Sequence, residues 1–422
     1  MAAVLHINFY KNRQTSMKLN GLVKFCILGT LALAAQLPRA AQAQALQGDI
    51  SGEYRAFFKT DSANPSASDY RGSATAELHL KYGSELPGGA GSFLMDARAT
   101  ADQRDNHRNR IDFNELSWRR SVGNVSLLAG MHTEFWGVTE SWHLVDVLNQ
   151  TDLTANIDQR VKLGQMTLKA SYRSDLGNFS LYVLPLFRER VFVGERGRLK
   201  PAYNVDASLS TYESAREKRN VDLAVRYAKS LGKWDLGLSH FDGTGREPLL
   251  LPVFAPGRPL VLAPHYAQIR QTGIDAQMTS DGLLVKFEAI KHVSGAQPNY
   301  RSAVAGVEYT QVGVFGGAAD IGLLAEYLYD ERGERATMPF SKDVFLAVRY
   351  VANNVAQTTY LLGAYTHLDT HARSYRFEMA TRLRDGVTLS LEGQAFSKET
   401  ERDLFYSYRD DGYLTVKLKT AF

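Results

Sequence analysis

The most regular feature of the chain is the alternation of apolar and polar side chains at every second position. In segment 283–291, Val285 and Phe287 share one face, whereas Lys286 and Glu288 share the other. Alternation of this kind, repeated along most of the chain, is typical of β-strands that have one apolar and one polar face. The pattern therefore predicts an all-β protein.

Eighteen segments carry the alternation, with sixteen as the alternative count. They lie at 48–59, 71–83, 92–103, 110–120, 125–133, 161–173, 179–188, 219–229, 233–241, 266–279, 283–292, 300–315, 320–329, 342–352, 356–367, 372–384, 387–397 and 410–422. Strands of soluble sandwiches are usually about five or six residues long, whereas a tilted strand that crosses a membrane needs about ten. The segment lengths therefore favour a transmembrane antiparallel up-and-down β-barrel, with apolar side chains facing lipid and polar ones facing the lumen.

The links between the segments alternate between short and long. The short links contain turn-forming residues and lie at 123–124, 177–178, 231–232, 281–282, 353–354 and 385–386. The long links lie at 60–70, 134–160, 189–218, 242–265, 330–341 and 398–409. Short periplasmic turns, longer outer loops and an even strand number are typical of bacterial outer-membrane barrels. The even number of strands places both the N-terminal and the C-terminal end of the barrel chain in the periplasm, as an expectation.

Aromatic residues gather at the ends of several segments, where they suit the girdles that barrels place at the two membrane interfaces. These residues are Tyr327, Tyr329, Tyr350, Phe405, Tyr406, Tyr408 and Tyr413. The last segment ends in Phe422, as the terminal strands of bacterial outer-membrane proteins do. Phe422 is therefore the predicted assembly signal for the barrel-assembly machinery.

The first 43 residues have the features of a secretory signal peptide. They hold five of the 49 basic residues and none of the 45 acidic ones, with an apolar run at 25–35 and the small-residue site Ala41-Gln42-Ala43. We therefore assign 1–43 to a signal peptide cleaved near Ala43, and 44–422 to the barrel. Without the signal segment, 44 basic and 45 acidic residues remain, so nucleic acid is not an expected partner.

Cysteine usage excludes several kinds of chemistry. The one cysteine, Cys26, lies in the signal segment, so the mature chain has no disulfide, thiolate metal site or cysteine nucleophile. The segment His367-Leu368-Asp369-Thr370-His371 could hold a metal only if a turn brought its ligands together, and a polar loop is the simpler interpretation. The sequence predicts no enzyme and no cofactor.

Charged residues on the polar faces are the first candidates for a transport function. A barrel of about eighteen strands is too wide for side chains alone to fill, so a water-filled channel lined by mixed charges is expected. The alternative is a network of ion pairs that closes the lumen. The predicted lining residues are Asp96, Arg98, Arg226, Lys286, Glu288, Glu326, Arg349, Arg376, Glu378, Arg382, Glu392 and Lys417, with Glu77, Lys81, Lys169, Arg173, Asp222 and Lys419 on the same faces.

The link at 134–160 is the second candidate, because it holds two of the 4 tryptophans and is the third outer loop by this count. Porins commonly fold their third outer loop into the barrel as a constriction. The residues expected to narrow the pore are Trp136, Trp142, Asp146, Asn149 and Asp152. The alternative is a loop that lies on the rim of the barrel and is held there by its tryptophans.

The link at 242–265 is apolar and holds five of the 12 prolines. Because proline lacks an N–H donor and stiffens the chain, we expect an ordered cover that resists forming strands. Burial of this cover within its own barrel is favoured over an exposed contact surface for another protomer or a hydrophobic solute.

Five stretches match a known pattern. They are Trp136-Gly137 followed by Val145-Asp146-Val147-Leu148-Asn149-Gln150-Thr151-Asp152, then 243–248, 271–275, 285–290 and 322–327. Together they resemble uncharacterised, porin-like outer-membrane β-barrels of proteobacteria, although Gln150 stands where the related form has proline. The resemblance implies an outer-membrane barrel. It carries over no catalytic or binding residue, because that group has no settled substrate.

These observations favour an outer-membrane, porin-like channel for passive diffusion of small polar solutes. One alternative is a substrate-specific uptake or export barrel for a larger or hydrophobic molecule, gated by the 134–160 and 242–265 loops. A less favoured alternative is an outer-membrane enzyme with its site on the rim. The expected partners are outer-membrane lipid, lipopolysaccharide and the barrel-assembly machinery, and the barrel could be a monomer or a homo-trimer.

Overall fold

The computed structural model describes residues 46–254, 256–257, 259–336 and 340–422. Its main element is a sheet of 18 strands. The first strand pairs antiparallel with the last, with Asp49 opposite Ala421, so the sheet closes into a barrel. The predicted signal segment 1–43 lies outside the described residues.

Eighteen strands form the wall of the barrel, and three short strands lie in its loops. The wall strands are β1 (Gln47–Phe57), β2 (Gly72–Glu85), β3 (Ser92–Asp102), β4 (Arg110–Val122), β5 (Val125–His132), β6 (Gln165–Ser174), β7 (Gly177–Leu184), β9 (Asp222–Leu231), β10 (Trp234–Thr244), β13 (Gln268–Ser280), β14 (Leu283–Ser294), β15 (Tyr300–Gln311), β16 (Asp320–Asp330), β17 (Lys342–Val351), β18 (Thr359–His367), β19 (Arg373–Arg384), β20 (Val387–Ser397) and β21 (Tyr413–Ala421). The loop strands are β8 (Thr211–Tyr212), β11 (Leu249–Val253) and β12 (Val261–Tyr266). Each predicted segment corresponds to one wall strand, so the strand number and the fold class are confirmed.

The two ends of the barrel differ in their connections. At one end, two-residue turns follow β4, β6, β9, β13 and β19. Gly123, Gly282 and Gly386 adopt positive φ there, as two-residue hairpin turns require. Such short turns mark the periplasmic end of a bacterial barrel, and the longest connections, 133–164, 185–221 and 245–267, lie at the opposite, outer end. Among the described residues, no helix is long and apolar enough to cross a membrane.

The two faces of the wall are inverted relative to a soluble protein. Exposed side chains on the outer face include Leu168, Leu181, Leu223, Val225, Leu238, Ile274, Phe287, Val307, Leu323, Leu346, Val348 and Leu362. On β14, Lys286 and Glu288 flank the exposed Phe287 and are buried. Because successive residues of a strand point to opposite faces, the charged residues face the lumen and the apolar ones face lipid, as a transmembrane barrel requires.

The aromatic girdle is only partly as predicted. Tyr327 and Tyr329 are exposed on β16, whereas Phe405 and Tyr413 are buried. Tyr408 packs edge-on against Phe405. These last three rings lie inside the mouth of the barrel, because Tyr413 pairs with the lumen-facing Phe57 and residues 398–412 fold over the mouth.

The 245–267 loop is not the strand-resistant cover that its prolines predict. Strands β11 and β12 form an antiparallel hairpin in which Pro252 lies opposite Leu262. Proline is tolerated in short edge strands, at positions where no N–H donor is needed. Leu251 and Phe254 are exposed, whereas Ala263 and Tyr266 of β12 are buried, so the expected burial of this segment is found for β12 but not for β11 and the tip of the hairpin.

Candidate functional site

The connection from β5 to β6, residues 133–164, folds into the barrel, and we call it the lumen loop. Its side chains Val145 and Leu148 are 0% and 2% exposed. They belong to the same buried cluster as the wall residues Val304 and Phe345. The lumen loop therefore places a packed apolar core inside the barrel, where an open pore would hold water.

Glu288 of β14 anchors the first part of the lumen loop. Its carboxylate accepts hydrogen bonds from the backbone N–H groups of Val138 at 2.7 Å and Thr139 at 3.0 Å, and from the Thr139 hydroxyl at 2.8 Å. The N–H of Val145 donates to the other carboxylate oxygen at 3.2 Å. Glu288 is fully buried, and charge-assisted hydrogen bonds are strongest away from water. One wall carboxylate thus holds both ends of the segment 138–145.

Glu326 of β16 anchors the loop in the same way. The N–H groups of Glu140 and Ser141 donate to its two carboxylate oxygens, each at 2.8 Å, and the Ser141 hydroxyl donates to the same carboxylate. Glu326 is 2% exposed. Two buried carboxylates on neighbouring parts of the wall therefore capture consecutive turns of the lumen loop.

Glu140 extends from the lumen loop to a group of arginines. Arg349 donates to its carboxylate at 2.8 Å and Arg160 at 3.1 Å, and Arg376 lies 3.7 Å away. Burial alone would raise the pKa of Glu140, but the three guanidinium groups outweigh it and hold the pKa below its ordinary value. Glu140 therefore stays ionised and ties the loop to β17 and β19.

Asn149 closes the base of the lumen loop. Its amide nitrogen donates to the carbonyl oxygens of His132 and Leu163, each at 2.9 Å, and its carbonyl oxygen accepts from the N–H of Glu134 at 2.9 Å. Asn149 is 1% exposed. Of the residues expected to narrow the pore, this one is positioned to hold the loop in shape and not to meet a solute.

The two tryptophans of the lumen loop occupy different environments. Trp136 is buried, packs edge-on against Tyr182 at 5.5 Å and lies under the guanidinium of Arg226 at 5.2 Å. Trp142 is half-buried and packs edge-on against Phe340 at 5.8 Å. Trp136 thus contacts strand β7 of the wall, whereas Trp142 contacts the outer connection between β16 and β17.

Asp146 and Asp152, the two aspartates that were expected to narrow the pore, are also buried. Asp152 pairs with Arg110 of β4 and accepts from the hydroxyl and N–H of Thr154. Asp146 lies 3.7 Å from Lys162. Burial raises the pKa of Asp146 above its ordinary value, although Lys162 acts in the opposite direction.

Most of the predicted lining residues of the wall form ion pairs with other wall residues, on another strand in every case except Arg376 with Glu378, which both lie on β19. The pairs are Asp96 with His79, Arg98 with Glu77, Arg226 with Asp275, Lys286 with Glu308, Arg349 with Glu308, Arg376 with Glu378, and Lys417 with Glu77. Glu392 accepts from Asn156 of the lumen loop, and Arg382 donates to the carbonyl of Val355 in a periplasmic turn. This arrangement matches the pairing network that sequence reasoning offered as the alternative, and a role for these residues in a pore stays a prediction.

A polar cavity of about 130 Å³ lies on the outer side of the lumen loop, which we call the outer cavity. The lumen loop, the 185–221 and 245–267 loops and the outer ends of β14–β16 surround it. Its lining includes Trp142, Asp146, Arg190, Arg246, His292, Tyr300 and Arg332. One water needs about 10–15 Å³ by this measure, so the cavity has room for about ten waters.

Sequence reasoning identified only part of this lining. Trp142 and Asp146 were expected, whereas His292 and Arg246 were missed. His292 could have been found, because it lies two strand periods from Glu288 and shares its lumen-facing parity on β14. Arg246 has no such signal, since it stands in a proline-rich loop whose path the local pattern does not predict.

A second, narrower polar gap of about 40 Å³ lies between the lumen loop and strands β2–β4. Glu77, Arg98, Arg110 and Asp112 line it on the wall side, and Asp152 faces them from the loop. Both signs of charge are present in its lining, and it has room for about three waters.

The outer rim holds the His367–His371 segment, where Lys342 pairs with Asp369 at 2.9 Å. Within the part of the chain that the structure describes, no group of three or more His, Cys, Asp or Glu side chains is arranged to hold a metal ion.

The 398–412 loop over the mouth is expected to loosen at alkaline pH. Burial, with the carboxylates of Asp403 and Asp343, raises the pKa of Glu399 from its ordinary 4.5 to about 8. The packed loop therefore keeps a proton that the unfolded loop loses, and its stability falls as pH rises from 4.5 towards about 8. Hydrogen exchange of 398–412 at pH 5 and pH 9, corrected for the intrinsic rate, measures this change. Glu399→Gln should abolish the difference, and an equal pH response in that variant would contradict it.

The fold is similar to that of solved outer-membrane barrels. Wzi, an outer-membrane protein involved in group 1 capsule assembly in Escherichia coli and described as a carbohydrate-binding β-barrel, matches with a TM-score of 0.54 at 9% identity, over 89% of this chain and 84% of Wzi. OpdQ of Pseudomonas aeruginosa matches with a TM-score of 0.50 at 9% identity, over 89% of this chain and 97% of OpdQ. No protein-family model matches the chain, and no curated protein matches it. At this identity the likeness concerns the fold alone, and the chain has the fold of a transmembrane β-barrel of the bacterial outer membrane.

Proposed function

We propose that the protein is an outer-membrane channel for small polar solutes that the lumen loop holds in a constricted state. The observation that carries this proposal is the capture of the loop by Glu288 and Glu326, which supply the acceptors for seven hydrogen bonds from residues 138–145. A loop held by buried carboxylates is set firmly across the lumen, because breaking the contact would leave a charge unpaired in a dry site.

The constricted state distinguishes this protein from a wide, general pore. An open lumen would expose the wall residues of the outer half of the barrel, yet Val304, Leu328 and Phe345 are 0% exposed on its inner side. The remaining polar gaps are charged and narrow, which favours small polar solutes over large or hydrophobic ones. Passage of larger molecules would require the lumen loop to move.

Of the two loops considered as gates, the lumen loop is the better supported. The 245–267 loop contributes Arg246 at its base to the outer cavity, while Leu251 of β11 and Phe254 at the tip of its hairpin are exposed. Contacts with lipopolysaccharide, recognition of Phe422 by the barrel-assembly machinery, cleavage near Ala43 and assembly into a homo-trimer remain part of the proposal.

Single-channel conductance in planar lipid bilayers tests the constriction. Wild-type protein should give small or brief openings, and the double variant Glu288→Gln with Glu326→Gln should give larger and longer ones. Glutamine keeps the size of each side chain but removes the charge and half of the acceptor oxygens, so the loop loses most of its anchoring. We expect mean conductance to rise by about threefold or more, since hydrogen bonds to charged groups are worth about 1.5–3 kcal/mol each.

Asp49→Asn is the matched control. Asp49 is also a lumen-facing carboxylate, but among the described residues its side chain contacts His79 of the wall and not the lumen loop. The conductance of this variant should stay within the wild-type range. A large, steady pore in the wild type, or no difference between the double variant and Asp49→Asn, would contradict the proposal.

A further inference from the structure

We infer that the outer cavity binds a polyhydroxylated solute of about one sugar ring. This inference deepens the proposed function by naming the class of solute that binds on the outer side of the lumen loop. A role of this binding in transport rests on the proposed function. The cavity combines buried polar atoms without partners, a nearly balanced set of charges and aromatic rings on its wall.

The first support comes from buried polar atoms without hydrogen-bond partners. Both ring nitrogens of His292, Nη2 of Arg246 and Oδ2 of Asp146 have none among the described residues. The three residues are 7%, 6% and 7% exposed, and all three line the outer cavity. Buried polar groups are nearly always hydrogen-bonded, so these atoms indicate a molecule that completes them.

Neighbouring groups take up only part of the hydrogen-bonding capacity of these residues. Arg246 donates from Nε to the carbonyl oxygen of Leu148 at 2.8 Å, and from Nη1 to Asp222 at 2.7 Å and to the carbonyl oxygen of Thr244 at 2.6 Å, which leaves Nη2. Asp146 has its nearest cation, Lys162, at 3.7 Å, beyond hydrogen-bonding distance. Three partners thus hold the arginine in place, and its Nη2 is left without a protein partner among the described residues.

The mixture of donors and acceptors favours hydroxyl groups. Arg246 can only donate, ionised Asp146 can only accept, and neutral His292 offers one donor and one acceptor. A hydroxyl both donates and accepts, so a ring that carries several hydroxyls can satisfy all three side chains at once.

The charge of the cavity argues against a simple ion. Five basic residues and four acidic residues line it: Arg160, Lys162, Arg190, Arg246 and Arg332 against Asp146, Asp158, Glu247 and Asp330. A site for an inorganic anion or cation would show a clear excess of one sign. The near balance suits a neutral ligand or one with a single charge.

Aromatic rings supply the apolar side of the site. Tyr300 stacks on His292 with ring centroids 4.5 Å apart, and the guanidinium of Arg332 lies 3.7 Å from the centre of the same Tyr300 ring. This sandwich fixes the orientation of the His292 ring. Trp142 is half-buried on the same lining, where its indole can meet the C–H face of a sugar ring.

Intrinsic tryptophan fluorescence gives a readout of binding in detergent, and the difference between the wild type and Trp142→Phe isolates the signal of Trp142 from that of the other three of the 4 tryptophans. The probes are D-glucose, N-acetyl-D-glucosamine and D-galacturonate, with sodium acetate as the ion without hydroxyls. At least one sugar should change the emission saturably, with a dissociation constant in the millimolar range, and isothermal titration calorimetry should give the same value. Acetate should produce no saturable change.

His292→Phe removes both ring nitrogens and retains the stacking on Tyr300. It should weaken sugar binding by about tenfold or more, because a buried hydroxyl would then lack its partner. His292→Gln, which keeps one donor and one acceptor, should restore part of the affinity. His240→Phe is the matched control, because His240 is exposed on the outer face of β10, where it contacts Thr272 at 2.8 Å.

The outcomes separate this inference from the proposed function, because binding in detergent needs no conduction and the conductance test uses no sugar. The inference is overturned if no sugar binds saturably, if acetate binds as well as the sugars, or if His240→Phe weakens binding as much as His292→Phe. If no sugar binds saturably, water fills the cavity, and this conclusion holds for any conductance of the Glu288→Gln and Glu326→Gln double variant.

Discussion

Deletion of residues 138–150 is expected to turn the barrel into a wide and steadily open pore. The deleted segment contains every donor that Glu288 and Glu326 use, including the N–H groups of Val138 and Val145. It also contains Leu148, part of the apolar core in the lumen. Without this segment, water enters the lumen and hydrates the two carboxylates.

The expected effect is a mean conductance about five- to tenfold above wild type, because a wall of eighteen strands encloses an aqueous lumen when no loop fills it. Bilayer recordings of the refolded protein measure it. The control is deletion of 249–261, a segment of equal length from the outer hairpin. That hairpin lies outside the lumen, so its loss should leave conductance unchanged. Equal conductance in wild type and the 138–150 deletion would show that the loop does not occlude the barrel.

The strands of the barrel wall could be predicted from the sequence because the pattern that identifies each strand lies within the strand itself. A strand with lipid on one side and water on the other repeats every two residues, so segments such as 283–292 and 342–352 reveal both their length and their orientation. The turn residues between them set the pairing. Recognition of eighteen strand segments, each from its own residues, was therefore enough to predict the closed barrel.

The contents of the lumen depend on distant pairings that no local pattern encodes. Glu288 alternates on its strand like any lumen-facing charge, but its four donors come from residues about 150 positions earlier in the chain. Tyr413 similarly alternates like any lumen-facing residue, but its buried hydroxyl donates to Asn156 of the lumen loop, 257 positions earlier in the chain. The sequence could thus predict that a loop constricts the lumen, but it could not identify the wall residues that anchor this loop.

Substitution of Arg198 by methionine is expected to release three outer loops together. The side chain of Arg198 is fully buried and pairs with Asp411 at 2.7 Å. Its other nitrogens donate to the carbonyl oxygens of Lys59, Thr60, Asp61 and Tyr70 at 2.5–3.0 Å. One guanidinium thus joins the 185–221 loop to residues 58–71 and 398–412.

Methionine fills the space beside Phe57, whose ring centre lies 4.3 Å from the guanidinium, but it leaves Asp411 buried without its cation. Removing one partner of a buried ion pair costs about 3–5 kcal/mol, and we expect a loss of that size in the free energy of local opening. Hydrogen exchange of 58–71 and 398–412 at constant pH measures it. Asp411→Asn added to Arg198→Met should recover part of the loss, because the asparagine carries no charge to be left unpaired.

Arg402→Met is the matched control for this prediction. Arg402 also pairs with a carboxylate at the outer rim, Glu334 at 3.5 Å, but the two side chains are 72% and 63% exposed. Water already solvates an exposed pair, so its loss should change the opening free energy by less than about 1 kcal/mol. If Arg198→Met and Arg402→Met leave the same protection in 58–71, the buried guanidinium is not what fastens the outer loops, and those loops must be held by their own apolar contacts.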